Sequence, residues 1–341
     1  MSSGARFSMD DALSRLSSGA SLTRDEARAA MAVLLKGEAS PAQAGALLMG
    51  LRMKGETEDE IAGCVEGLRE ASVKIRPRRE IVVDLCGTGG DGSSTFNIST
   101  AAALVVAGAG VAVAKHGNRA ASSRSGSADV LEALGVPIDL PPERAELAIE
   151  EIGFAFLFAP AYHPAMKHVA PVRKELHLRT IFNLLGPLAS PAGVRRQLVG
   201  VFDDRFRPML ARVLRLLGCE AAWVVHGEGP LDELSIAGSS AVTAVGPGGL
   251  EEFSVRPQEC GIVPGSLEAL RGGDARENAA ILERVLAGER GPQREAVLFN
   301  AAAALAVSGS ARDLRQGVEK ARDAIDSGSA RKVLQLLRKF R

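Results

Sequence analysis

The sequence predicts an α/β protein, with a small N-terminal helical domain and a larger α/β domain whose mostly parallel central sheet is flanked by helices. Residues 8–74 carry only helix signals, whereas strand-like and helical runs alternate from residue 81 onward. A chain of 341 residues has room for about two domains. The basic, proline-containing stretch 74–79 is a plausible boundary. We therefore expect a helical domain over 1–76, which helices from 163–190 could join, and an α/β domain over 77–341.

The helical domain is predicted from three capping boxes. Each is a Ser or Thr followed three residues later by Glu or Gln, and they start helices at residues 23, 40 and 57. An apolar stripe at helical spacing follows each box, over 27–35, 44–51 and 61–68. These stripes exceed what a small bundle buries alone, so the domain should dock on the rest of the chain or on a second subunit. We expect a homodimer.

The α/β domain is predicted from alternating patterns. Strands are expected over 81–85, 111–114, 154–158, 197–202 and 221–226, with a short hairpin within 242–255. Helices are expected over 101–107, 128–134, 143–152 and 205–217, and again from 275 onward, including the alanine-rich run 297–307. Strands separated by helices favour a parallel sheet.

Composition narrows the class of protein. Basic and acidic residues balance at 41 each, so no nucleic-acid or membrane partner is expected. The longest apolar run, 101–114, is shorter than the ~20 residues of a membrane span. The polar, acidic start of the chain does not resemble a signal peptide. Four scattered cysteines indicate reduced thiols, and we expect a cytoplasmic protein.

The stretch 84–100 carries the strongest functional signal. A buried strand is followed by four glycines within six residues and then by a helix, the layout of an anion site at a helix N-terminus. Hydroxyl groups and Asp91 in the loop suit a phosphate with a bound metal. A simple tight turn is the alternative. The spacing also fits a dinucleotide loop, but no acid lies between Asp91 and Asp129 to hold a ribose, and no Walker lysine follows.

Three further clusters are candidates for binding. Lys115, Asn118 and Arg119 follow a predicted strand, where open sheets bind ligands, and the glycine loop favours this interpretation over a solvated loop. The hydroxyl-rich stretch 122–127 resembles a second cradle. The adjacent acids Asp232 and Glu233 also follow a strand. Such pairs are common on surfaces, but beside a phosphate loop they form a credible Mg²⁺ site.

The basic segment 163–174 contains a candidate carboxylate anchor. Arg173 or Arg179 could bind a carboxylate with its planar guanidinium, unless Arg173 simply pairs with Glu175. His163 and His168 lack zinc-site spacing and are more typical of core or surface histidines. No nucleophile and base stand in the pattern of covalent catalysis.

Several motifs together resemble the anthranilate phosphoribosyltransferase family of nucleoside phosphorylase-like transferases. They include Gly-Thr-Gly-Gly-Asp-Gly at 87–92, Thr-Phe-Asn-Ile-Ser-Thr at 95–100 and Lys-His-Gly-Asn-Arg at 115–119. Further matching blocks stand at 126–132, 163–166, 172–176, 182–188, 231–233, 272–274 and 300–302. One departure is His177, where the family more often has glycine, so the local turn is left open.

The resemblance implies a homodimeric enzyme that transfers phosphoribose from phosphoribosyl pyrophosphate to the amine of anthranilate. It implies two Mg²⁺ per subunit, held by Ser99, Asp232 and Glu233, and an anthranilate site formed by Gly87, Asn118 and Arg173. The residues implied for phosphoribosyl pyrophosphate are Gly87, Gly90, Asp91, Thr95, Asn97, Ile98, Ser99, Thr100, Lys115, His116, Gly117, Asn118, Arg119, Ala120, Ala121, Ser122, Ser123 and Ser127.

Two other functions remain possible at this point. A pyrimidine nucleoside phosphorylase of the same fold would cleave thymidine with phosphate. A non-catalytic nucleic-acid-binding relative would carry a basic surface and would have lost the glycine loop or the acid pair. The balanced charge and the presence of both motifs favour the transferase.

Overall fold

The computed structural model describes residues 7–120 and 124–340. The chain divides into two compact units. The helical unit contains the described residues up to Val73 together with Pro160–Pro191. The α/β unit contains Lys74–Ala159 and the described residues from Ala192 onward.

The elements follow one another in an order that agrees with the predicted alternation. The strands are β1 (Val82–Gly87), β2 (Ala112–Gly117), β3 (Phe154–Phe158), β4 (Arg196–Gly200), β5 (Ala221–Gly227), β6 (Ser240–Gly246) and β7 (Gly249–Val255). The α-helices are α1 (Met9–Ser17), α2 (Arg24–Leu35), α3 (Pro41–Lys54), α4 (Glu58–Glu70), α5 (Ile98–Gly108), α6 (Ser127–Ala133), α7 (Pro142–Glu151), α8 (Ala159–Tyr162), α9 (Ala170–Leu176), α10 (Phe182–Leu185), α11 (Phe206–Leu216), α12 (Ala275–Leu286), α13 (Pro292–Ser308), α14 (Leu314–Asp326) and α15 (Ser329–Lys339).

The helices of the N-terminal part start at the predicted capping boxes. In α2, α3 and α4 the cap hydroxyl accepts the N3 backbone N–H, and the N3 side chain accepts the N–H of the cap residue. Ser8 and Asp11 form a fourth box at the start of α1. Each box satisfies two backbone donors that have no partner within the helix, which fixes where the helix begins.

The apolar stripes of this part are buried inside the helical unit. Met31, Leu48 and Ile61 have almost no exposed surface within a single chain. Residues 160–191 complete the unit, where the Val73 N–H donates to the Tyr162 carbonyl and the Arg69 guanidinium to the Leu188 carbonyl. The stripes are therefore accounted for by one chain, and they no longer argue for a second subunit.

The α/β unit is built on a seven-stranded sheet in the order β3-β2-β1-β4-β5-β6-β7. The first five strands of that order are parallel, and β6 and β7 add an antiparallel hairpin at one edge. This confirms the predicted mostly parallel sheet. The hairpin is longer than expected, since each of its strands has seven residues.

The predicted end of the second strand was wrong. The strand expected over 111–114 continues to Gly117, because pairing with β3 extends through Lys115 and His116. Both side chains are consequently buried rather than lying in a following loop.

Helix α5 forms the centre of the core of the α/β unit. Its residues 101–106 are completely buried between the sheet and the C-terminal helices, and small side chains allow close approach. At Gly108 a Cβ atom would lie 2.6 Å from the Ala330 backbone of α15.

Among the described residues, no helix combines the length and the apolar character that crossing a bilayer requires.

The backbone conformation at His177 shows why glycine would suit this position. It ends α9 with φ 49° and ψ 25°, a left-handed conformation that glycine adopts without steric cost. A side chain at this position carries a conformational penalty of roughly 1–2 kcal/mol.

We expect His177→Gly to raise the free energy of unfolding by about 1 kcal/mol, because it removes most of this penalty while loosening the unfolded chain. His177→Ala is the matched control, since it keeps the Cβ atom and should bring no comparable gain. Urea unfolding of both variants measures the difference. Equal stability changes in the two variants would contradict this explanation.

Candidate active site

The candidate site lies at the carboxyl ends of the central strands, where the strand order reverses between β1 and β4. Open α/β sheets bind ligands at such a switch point, because the chain leaves neighbouring strands in opposite directions there. The three strands at this position, β1, β4 and β5, end in Gly87, Gly200 and Gly227.

The acid pair lies directly against these glycines. A Cβ atom on Gly87 would overlap the Asp232 carboxylate, and one on Gly200 would overlap the Asp232 backbone carbonyl. The Gly227 N–H donates to the Leu231 carbonyl at 2.9 Å, which fixes the start of the segment. Asp232 and Glu233 are therefore placed over the strand ends, next to the glycine loop.

The glycine loop adopts left-handed backbone conformations at several positions. Gly89, Gly90 and Gly92 have φ of 67°, 72° and 75°, and Ser94 has φ 54°. This explains the concentration of glycine in the loop, because positive φ is unfavourable for other residues. Strain at the non-glycine Ser94 is typical of functional loops.

The glycine loop and the acid pair form one hydrogen-bonded network. The Gly89 N–H donates to the Asp232 carboxylate at 2.8 Å, and the Asp232 N–H donates to the Asp91 carboxylate at 3.4 Å. Asp91 also accepts the N–H and the hydroxyl of Ser93. Two features that the sequence predicts separately are thus joined.

The N-terminus of α5 is bonded to the same acids. The Ser99 N–H donates to the Glu233 carboxylate at 3.0 Å. Asn97, at the cap position, does not cap the helix with its side chain but donates to the Ser125 carbonyl and accepts from Asn278. The N-terminal N–H of Ser99 is therefore bonded to a carboxyl group of the protein itself, and the predicted anion site at this helix end stays a prediction.

Lys115 is the buried cation of the site. Its ammonium group donates to the Leu85 carbonyl at 2.5 Å and lies 3.4 Å from the Ser99 hydroxyl. Nearby, Asp84 accepts the His116 N–H at 3.2 Å. Sequence reasoning missed Asp84, although a carboxylate within an otherwise apolar strand is an unusual signal.

Burial raises the pKa of three carboxyl groups here. The pKa of Asp232 rises to about 7 through burial and the neighbouring Asp91. The pKa of Glu233 rises to about 8 through burial and Asp232, although Lys115 opposes the shift. The pKa of Asp84 rises to about 7 through burial, again opposed by Lys115. Such crowding of negative charge favours binding of a cation.

The oxygen donors suit magnesium. In 7–120 and 124–340 no three His, Cys, Asp or Glu side chains converge as a preformed metal cage. The carboxyl groups of Asp232 and Glu233 nevertheless provide hard oxygen donors beside the start of α5, where Ser99 adds a hydroxyl group. Mg²⁺ is typically held by one or two carboxylates together with substrate phosphates, so this set fits the ion.

The loop after β2 is tied to α6. The Arg119 guanidinium pairs with Asp129 at 3.0 Å and Glu132 at 2.8 Å, and it lies 5.7 Å from the centre of the Phe158 ring. The Asn118 carbonyl accepts from the Ser127 hydroxyl and the Ala128 N–H. The predicted contacts at Ala121, Ser122 and Ser123 lie outside the described residues.

Arg173 lies in the helical unit, on α9, whereas Gly87 and Asn118 belong to the α/β unit. Its guanidinium lies 4.9 Å from the centre of the Phe182 ring. Burial lowers the pKa of this guanidinium. The alternative pairing with Glu175 is not observed, and no other ion pair to Arg173 occurs in the described part of the chain.

Two asparagines that sequence reasoning did not place at the site support it from behind. Asn278 holds Asn97 and accepts the Gly273 N–H at 2.8 Å. Asn300 accepts the Leu234 N–H and donates to the Leu234 carbonyl, which fastens the chain just after the acid pair. For Asn300, a polar side chain within an apolar helical run was the available signal. His163, by contrast, is a core residue, and burial lowers its pKa to about 4.

Comparison with known proteins places this architecture in a family. Two family models match, described as "Glycosyl transferase family, helical bundle domain" over residues 10–72 and "Glycosyl transferase family, a/b domain" over 79–331. An anthranilate phosphoribosyltransferase of Symbiobacterium thermophilum is 54% identical over 328 residues, which are 96% of each chain.

Two solved structures are also similar. The anthranilate phosphoribosyltransferase of Thermus thermophilus is 48% identical with a TM-score of 0.92, covering 97% of this chain and 99% of that one. The Saccharomyces cerevisiae enzyme in complex with PRPP and Mg is 28% identical with a TM-score of 0.89, covering 97% of both chains.

The fold and the site thus define a glycosyltransferase with a helical-bundle domain and an α/β domain. Within that class the chain belongs to the anthranilate phosphoribosyltransferase family. The family and the enzyme class predicted from the sequence are confirmed.

The raised pKa of Glu233 predicts a pH-dependent stability. Because its pKa is higher in the folded than in the unfolded protein, its contribution to stability is present below about pH 4.5 and is lost as the pH rises through about 8. Without divalent metal, Glu233→Gln should therefore melt several degrees above the unchanged protein at pH 9 and close to it at pH 5.

Melting curves between pH 5 and 9 test this prediction. Glu251→Gln, an exposed position on β7, is the control and should follow the unchanged protein at every pH. Identical pH profiles for Glu233→Gln and the control would contradict the prediction.

Proposed function

We propose that this chain transfers the phosphoribosyl group of phosphoribosyl pyrophosphate to the amine of anthranilate, giving N-(5-phosphoribosyl)anthranilate and pyrophosphate for tryptophan biosynthesis. One observation carries this proposal within the structure. The glycine loop, the N-terminus of α5 and the acid pair form one network at the switch point of the sheet. Family membership supports the same reaction.

The reaction demands charge stabilisation and alignment rather than a protein nucleophile. The bond from C1 of the ribose to the pyrophosphate oxygen breaks, a bond from C1 to the anthranilate nitrogen forms, and the amine loses a proton. Positive charge develops on the ribose while the leaving group gains negative charge. A fixed polar environment that aligns the two reactants can supply most of the rate enhancement.

Asp232, Glu233 and Ser99 would hold Mg²⁺, and we propose two ions per subunit. The charge crowding described above supports cation binding here, as does the Mg and PRPP complex of the yeast relative. When bound, the metal neutralises charge on the pyrophosphate leaving group. Lys115 adds a fixed positive charge beside Ser99.

The phosphoribosyl donor would bind along the glycine loop and the start of α5. The glycines leave room for close approach of a ligand to the loop backbone, and the helix dipole favours negative charge at the N-terminus of α5. The remaining contacts to the phosphoribosyl donor are assigned to residues 115–120 at the end of β2, to residues 121–123 and to Ser127 at the start of α6.

The acceptor would be held by its carboxylate. A half-buried guanidinium with an aromatic ring on one face and no acidic partner in the described structure is suited to bind an anion. Arg173 is therefore assigned to the anthranilate carboxylate, with Gly87 and Asn118 as further contacts.

The proposal is tested by following anthranilate fluorescence with phosphoribosyl pyrophosphate and Mg²⁺. Anthranilate should be consumed only when both are present, and pyrophosphate should accumulate in equal amount. Failure to consume anthranilate, or phosphorolysis of thymidine instead, would contradict it.

In the same assay, Arg173→Lys should raise the KM for anthranilate markedly, because lysine keeps the charge but loses the planar fork. Arg173→Ala should raise it by roughly tenfold to a hundredfold, since a charge-assisted hydrogen bond contributes about 1.5–3 kcal/mol. The KM for phosphoribosyl pyrophosphate should change little.

Arg28→Ala is the control for Arg173, since it removes an exposed arginine of the same unit that belongs to no candidate site, and it should leave both KM values unchanged. Equal shifts in both KM values for Arg173→Ala, with a lowered melting temperature, would assign Arg173 a purely structural role.

We also propose a cytoplasmic homodimer that assembles through the helical unit. Met53 and Leu178 in that unit are large apolar side chains, 81% and 50% accessible in a single chain, and we assign them to the interface. Light scattering at micromolar concentration should give twice the mass of the chain. A monomer would contradict the proposal.

A further inference from the structure

We propose that Gly200 and Gly227 are positioning residues for the acid pair, and that the absence of their Cβ atoms sets how closely Asp232 and Glu233 approach the strand ends. The inference rests on the proposed metal role of these acids. It assigns a function to two glycines that belong to neither the glycine loop nor any turn.

The contact at Gly200 involves backbone only. A Cβ atom there would overlap the carbonyl oxygen and carbonyl carbon of Asp232 and would lie 3.2 Å from its Cα. Rotation of a side chain cannot relieve such an overlap, so the Asp232 backbone would have to move. Gly200 is held in register by pairing with Gly87 and Val225 on its two sides. The displacement would therefore fall on Asp232.

Gly227 makes the equivalent contact one strand further along. A Cβ atom there would overlap the Glu233 carbonyl and would lie 2.8 Å from the Ser235 Cβ and 3.0 Å from the Ser235 nitrogen. Its φ does not lie in the left-handed region, so glycine is not required here for backbone conformation. We therefore attribute the glycine at position 227 to the close approach of Glu233 and Ser235.

The acid pair is constrained from the opposite side as well. The Gly89 N–H bonds the Asp232 carboxylate, and the Ser99 N–H bonds the Glu233 carboxylate. Asn300 fixes the next residue, Leu234. A shift imposed from the strand ends would misplace carboxylate oxygens that must meet the strict octahedral geometry of Mg²⁺.

Close approach is not a general property of glycines at strand ends in this sheet. Gly246 ends β6, and a Cβ atom there would have open space within 4 Å. Its φ also lies outside the left-handed region. Gly246→Ala is consequently a matched control.

The experiment compares Gly200→Ala, Gly227→Ala and Gly246→Ala. Calorimetry measures binding of Mg²⁺ with inorganic pyrophosphate, and kinetics measures the Mg²⁺ requirement and the KM for anthranilate. We expect Gly200→Ala to weaken metal–pyrophosphate binding by about tenfold or more, as supporting residues of metal sites do. The KM for anthranilate should stay within about twofold, because Arg173 is untouched. Gly246→Ala should leave all three quantities unchanged.

A double-mutant cycle separates positioning from general damage. If Gly200 acts through Asp232, Gly200→Ala should cost little further binding in an Asp232→Asn background. Additive losses, or equal losses for anthranilate and for the metal, would overturn the proposal. If Gly200→Ala does not fold, Gly227→Ala and Glu233→Gln provide an equivalent cycle. Unchanged binding of Mg²⁺ with pyrophosphate in Gly227→Ala would then overturn the proposal.

The experiment distinguishes failure of the proposed metal role of the acid pair from failure of the proposed positioning role of the two glycines. Normal metal dependence in Asp232→Asn and Glu233→Gln would remove the metal role itself, and with it the proposed function of the pair. Weak binding in those variants, together with unchanged binding in both glycine variants, would refute only the positioning role.

Discussion

The structure of the site depends on holding carboxyl groups out of bulk water near the buried Lys115. Asp84 is fully buried, Asp232 and Glu233 are partly buried at the strand ends, and Lys115 interacts electrostatically with Asp84 and Glu233. Burying charges without full compensation is costly, and the raised pKa values are the direct expression of that cost. Backbone N–H groups of Gly89 and Ser99 and the dipole of α5 offset part of it. The remaining negative charge makes the site receptive to a cation.

Much of this arrangement could be predicted from local sequence because local chemistry determines it. Capping boxes fix helix starts within four residues, and the alternation of apolar runs specifies the parallel sheet. The glycine loop was recognisable because glycine adopts positive φ most readily, as Gly89, Gly90 and Gly92 do. The acid pair was recognisable as a candidate, and only its position after a strand distinguished it from a surface pair.

Other features depend on contacts between distant parts of the chain and could not be predicted locally. Lys115 and His116 are strand residues only because β3 pairs with them, and a polar pair after four apolar residues otherwise indicates a loop. The bond from the Ser99 N–H to Glu233 spans 134 residues. Nothing in the pattern at Gly200 or Gly227 reveals that Asp232 and Glu233 lie against them. The apolar stripes of the helical unit likewise acquire their partners from residues 160–191.

Arg119 and Arg173 show how environment separates two residues that look alike in the sequence. Arg119 pairs with two acids, but its side chain is 45% exposed, and exposed ion pairs contribute little to stability. These pairs orient the Arg119 guanidinium toward α6. Arg173 is half-buried beside an aromatic ring, where loss of hydration penalises its charge. An anion bound there restores part of that lost solvation, so the same guanidinium group gains more from binding a carboxylate at Arg173 than at the solvated Arg119.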